Sequence, residues 1–166
     1  MDREYFNKGE DAWEYIASLG DKQSQFEMLL AETVFNDEQR DKLASASKVR
    51  YVVAIVEPWS GDVMYNLPVL LEMAEDASWE IRIFRRDSYP ELIQLYLKEG
   101  LYRSIPVFIF FDENFNEIGH WVERPAAATE VIEEEQLNLR RRLREEHKNE
   151  WRQETIREVL ELTSKE

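Results

Sequence analysis

The sequence predicts an α/β fold: a four-stranded mixed sheet in the order β-α-β-α-β-β-α, with helical extensions at both ends. Three observations predict it. Val49–Val56 is a β-branched run suited to a strand buried on both faces. The segment from Gly61 to about Ala77 then places Met64, Leu67, Leu71 and Ala74 on one side of a helix, so the strand that follows it pairs in parallel. Val107–Phe111 and Glu117–Val122, by contrast, are separated only by the turn residues Asp112–Asn116, which implies an antiparallel hairpin.

Each element has its own signal. Residues 1–47 read as a helical extension. Trp13, Ile16 and Ala17 recur at helical spacing, and Leu19-Gly20 reads as a helix end with a left-handed glycine. Phe26, Leu29, Leu30 and Val34 mark a second amphipathic helix, and Asn36 or Asp37 caps a short third one carrying Leu43. Residues 48–125 form the core, with a second strand over Trp79–Phe84 and a helix over Tyr89–Glu99 ended by Gly100. Residues 126–166 read as one long helix or two that complete the same domain, with Pro125 in the first turn. Ile132, Leu139, Leu143, Trp151 and Val159 make a sparse apolar stripe there, suited to packing on the N-terminal helices or on a second subunit. Runs such as Arg140–Glu146 read as a solvated, salt-bridged face.

Composition excludes several classes of function. The 166 residues carry a net charge of −14, spread over all three regions, which argues against non-specific nucleic-acid binding. No apolar run approaches the roughly 20 residues that cross a bilayer, and the first residues lack the pattern of a secretory signal, so cytoplasmic residence is expected. The two histidines lie far apart without companions at ligand spacing, so no metal site is expected, and no cofactor. There is no cysteine, hence no disulfide.

The candidate site is Trp59-Ser60-Gly61-Asp62-Val63, between the first strand and the helix, with Pro68 eight residues after Ser60 and Arg103-Ser104-Ile105-Pro106-Val107 entering the third strand. This layout resembles the thioredoxin superfamily: the W-C-x-x-C turn, the proline that kinks the active-site helix, and the cis-proline loop. Over residues 48–125 it is similar to a bacterial subgroup with a W-C-G-D turn and an R-P after the last strand, matched here by Trp59-Ser60-Gly61-Asp62 and Arg124-Pro125. The resemblance implies a thioredoxin-like fold, with Ser60 and Val63 at the positions of the family's cysteines. It also implies that Ile105, before the proline, pairs through its backbone with an extended peptide.

The chemistry of that family is absent. Thiol–disulfide exchange needs a thiolate, and a serine hydroxyl in its place ionises far too weakly to substitute. Ala54 stands where thioredoxins carry a buried acid. The expectation is therefore a redox-inactive protein, not an enzyme, that binds a protein or peptide partner or a small anionic ligand at the former active-site edge. An engineered Cys-to-Ser change at position 60 is the alternative, and would make the natural protein a thiol oxidoreductase. Ser60 as an acyl-transfer nucleophile needs a nearby base, and neither His120 nor His147 is placed to serve. The binding residues expected are Trp59, Ser60, Gly61, Asp62, Arg103, Ile105, Pro106 and Arg124. Arg85, Arg86, Arg103 and Arg124 all fall at this edge in the expected fold, either to hold an anion or to pair locally with Asp87, Glu57 and Asp62. A homodimer through the terminal helices is compatible with the pattern.

Overall fold

The computed structural model describes residues 1–45 and 48–163. The expected boundary at residue 47 and the last three residues of the chain lie outside the described residues. Met1–Arg124 and Pro125–Glu166 form two compact units.

The first unit is built on a sheet in the order β2-β1-β3-β4. β1 (Tyr51–Val56) is buried along its whole length, as its β-branched run requires. It pairs in parallel with β2 (Glu80–Arg85), from Tyr51↔Glu80 to Val56↔Arg85, and antiparallel with β3 (Val107–Phe111). β4 (Glu117–Val122) pairs antiparallel with β3, with an irregularity at Phe110/Phe111. Asp112 closes this hairpin by accepting from the N–H groups of Asn114 and Asn116 at 2.8 and 2.9 Å. The element order along the chain and the strand directions are those expected from the sequence, and the fold is a thioredoxin-like α/β fold.

Among the described residues, four α-helices and one 3₁₀ turn precede β1. α1 (Arg3–Phe6), which has no periodic signal, is capped by Asp2 and inserts the wholly buried Phe6 into the core. α2 (Ala12–Ala17) is capped by Asp11 and buries Tyr15 and Ile16, and Gly20 beyond it takes the expected left-handed φ of 58°. α3 (Gln23–Glu32) ends before Val34, which lies outside the helix and is exposed. α4 (Asp37–Ser45) starts with a reciprocal cap: Asn36 accepts from the N–H of Gln39, and Gln39 accepts from that of Asn36, both at 2.9 Å. Between α1 and α2 the chain lies against β2, where Glu10 exchanges two backbone hydrogen bonds with Ile83, each 2.9 Å.

α5 (Gly61–Ala77) follows β1 with the bounds its periodicity predicts, Pro68 inside it and Ser78 left-handed at its end. The helix expected over Tyr89–Glu99 is shorter. α6 (Pro90–Ile93) and one 3₁₀ turn (Gln94–Tyr96) stop where Leu97 becomes extended. Glu99 and Gly100 then take positive φ in a tight reversal that pairs Lys98 with Tyr102.

The second unit consists of α7 (Ala126–Glu146) and α8 (Lys148–Thr163), separated at His147. Pro125 is the residue before the first turn of α7 rather than within it. No described helix is long and apolar enough to cross a membrane.

Candidate functional site

The turn after β1 is shaped by local hydrogen bonds. The N–H of Ser60 donates to the carbonyl of Glu57 at 3.2 Å, and Ser60 Oγ accepts from the N–H of Val63 at 3.3 Å. Ser60 thus caps α5, a role worth about 1 kcal/mol. No imidazole hydrogen-bonds its hydroxyl among the described residues. His120 instead bonds Glu117 at 2.7 Å and packs edge-on against Tyr96.

The segments that follow β2 and β4 both reach this turn or its flanks: Arg86 lies over Trp59, Asp87 bonds Glu57, and Arg124 bonds Asp62. The Ile105–Pro106 peptide bond is cis, and the carbonyl of Pro106 accepts from the N–H of Glu123 at 2.7 Å. Ile105 is buried, yet neither its N–H nor its C=O has a hydrogen-bond partner among the described residues. Asp62, in the first turn of α5, accepts from Arg124 at 2.7 Å, and Arg124 also reaches Glu123 at 2.8 Å. Lys98 bonds the other oxygen of Glu123 at 2.5 Å. Burial raises the pKa of Asp62 although Arg124 opposes it. For Glu123 burial acts upward too, but the bond from Lys98 and the charge of Arg124 outweigh it and hold the carboxyl below its usual value. The Nε of Arg124 is buried without a partner among the described residues.

The arginines divide by what already holds them. Arg85 forms a forked bond to Glu10 at 2.7 and 3.2 Å and donates to Ser18. Arg86 pairs with Asp87, donates to the carbonyl of Arg103 at 3.4 Å, and lies 4.7 Å from the ring centre of Trp59, which is half exposed. The side chain of Arg103 donates to Gln94 at 3.5 Å and has no carboxylate partner among the described residues. Of the expected local pairs, Arg86–Asp87 and Arg124–Asp62 are present.

Two site contacts escape a reading of the sequence. Glu57, 7 % exposed, is buried beneath the turn and accepts the N–H of Asp87 at 2.8 Å, fastening the β2–α6 loop. Lys22, in the 3₁₀ turn that leads into α3, donates to the carbonyl of Pro58 at 2.8 Å. Neither belongs to a motif; both depend on contacts more than 29 residues away. Ala54, the residue expected at the position of the family's buried acid, is wholly buried in β1.

Comparison with known proteins agrees with this architecture. The sequence matches the thioredoxin family over residues 9–138, and the chain belongs to that family. Among solved structures it is similar to a protein of unknown function from Pseudomonas aeruginosa, with a TM-score of 0.67 at 22 % identity, covering 76 % of this chain and 80 % of that one. It is also similar to an HIV epitope-scaffold, with a TM-score of 0.63 at 23 % identity and the same coverage. These likenesses show the fold. No curated protein matches the sequence.

Proposed function

We propose that this chain is a redox-inactive thioredoxin-family protein that binds an extended segment of a protein partner at the edge formed by Trp59, Ser60, Ile105 and Pro106. One observation carries the reading: Ile105 has an N–H and a C=O that no other group in the described chain uses. Buried backbone groups are almost always paired, and strand addition draws its affinity from such main-chain bonds. The absence of cysteine and the methyl group of Ala54 support the lack of redox chemistry. The Trp59-Ser60-Gly61-Asp62 turn and Arg124-Pro125 support a place beside the bacterial W-C-G-D proteins.

A small anion is a weaker candidate than a peptide. Arg85, Arg86 and Arg124 are each held by a carboxylate, which leaves Arg103 to attract an acidic group on the ligand. A peptide selected by phage display against the chain provides the test. Its binding should slow hydrogen exchange at the Ile105 amide. N-methylation of the peptide residue that pairs there should weaken binding on the order of tenfold. A selected peptide that leaves Ile105 exchange unchanged, or a selection that yields no binder, would contradict the proposal.

A further inference from the structure

α7 carries a charge pattern that its own helix does not satisfy. Ile132, Gln136, Leu139 and Leu143, spaced 4-3-4, form one stripe along it. Glu133 and Arg140, seven residues apart, flank the stripe on one side, and Glu135 and Arg142, also seven apart, flank it on the other. Residues seven apart are separated by about 10 Å along a helix, too far to pair within it. Among the described residues Glu133, Glu135 and Arg140 have no ion pair. Arg142 has Glu146 at 3.6 Å, with both side chains more than half exposed. No side chain of α7 is fully buried, and Leu139 is 45 % exposed.

The pattern is self-complementary. Turning the helix end over end about the point between Leu137 and Asn138 exchanges Ile132 with Leu143 and Gln136 with Leu139, so the stripe maps onto itself. In an antiparallel pair related by that two-fold axis, equivalent flanks face each other. Glu133 then lies beside the second copy's Arg140, and Glu135 beside the second copy's Arg142, which gives four pairs of opposite charge. A parallel pair matches only Glu135 with the second copy's Arg140, twice. We propose that α7 is a homotypic docking element through which two copies of this chain associate antiparallel. Val131 and Leu137 lie off the stripe, and Gln136 within it favours one register at some cost in affinity. Few apolar side chains are buried in such a contact, so it depends on the exposed charge pairs and weakens as salt screens them.

Sedimentation equilibrium of the full chain over a range of concentrations tests this, with self-association expected and weaker at high salt. The paired change Glu133→Arg with Glu135→Arg should abolish the dimer, as should Arg140→Glu with Arg142→Glu. An equimolar mixture of the two variants should recover a heterodimer, which a misfolded variant would not do. Because the chain has no cysteine, a single introduced thiol reports orientation. Gln136→Cys should cross-link to its counterpart on oxidation. Thr129→Cys, about 25 Å from its counterpart in the antiparallel pair, should not. A parent that stays monomeric, charge variants that dimerise as the parent does, a mixture without heterodimer, or cross-linking at both positions would each overturn the proposal.

Discussion

Glu123 binds Lys98 with one carboxylate oxygen and Arg124 with the other, and its pKa lies below the ordinary 4.5. A carboxyl lowered by folding contributes stability that is complete above its unfolded value and is lost as pH falls through its folded one. Asp62 acts in the opposite sense. Its folded value is raised, so protonating it on acidification returns some stability. Glu123→Gln removes the group whose ionisation stabilises the fold while keeping the shape of the side chain. The variant should melt below the parent near neutral pH, with a shallower fall in Tm as pH drops below 4.5. Thermal unfolding followed by circular dichroism across acidic pH measures both. An acid limb as steep in the variant as in the parent would show that Glu123 does not control it.

At the scale of elements, the pairing of Glu10 with Ile83 covers the outer edge of β2, which would otherwise present unpaired backbone groups. Gly9 makes that approach possible: a Cβ there would lie 2.5 Å from the ring of Phe84 and 2.7 Å from Cβ of Arg82. Gly9→Ala should therefore destabilise the protein by about 1–3 kcal/mol through overpacking, as urea unfolding would measure. An unchanged midpoint would mean that the strap is free to shift. This strap was not legible in the sequence, because one isolated bridge has no periodicity. α5, β3 and β4 were legible to their ends, since period and turn chemistry agree there. The helix after Tyr89 was read too long because Leu92, Ile93 and Tyr96 continue a helical spacing that Leu97 breaks only in its backbone. At the site, Ser60 and Pro106 stand in motifs. The partners of Glu57, Asp62 and Arg124 are 30 to 62 residues distant and follow from the fold.

For the molecule as a whole, the scaffold of a thiol enzyme persists without a sulfur nucleophile. In a dithiothreitol-driven assay of insulin reduction the chain should leave the rate at that of the blank. A rate above the blank would require chemistry that no residue at the turn supplies. What the fold retains is an edge tied together by one arginine. Arg86 connects three separate segments at once: it lies over Trp59, pairs with Asp87 and holds the carbonyl of Arg103. A visiting chain would therefore meet loops that are already in register with one another. If the proposed peptide binds there, little ordering would be left to occur on contact, and affinity differences among peptides would be expressed in how slowly they leave.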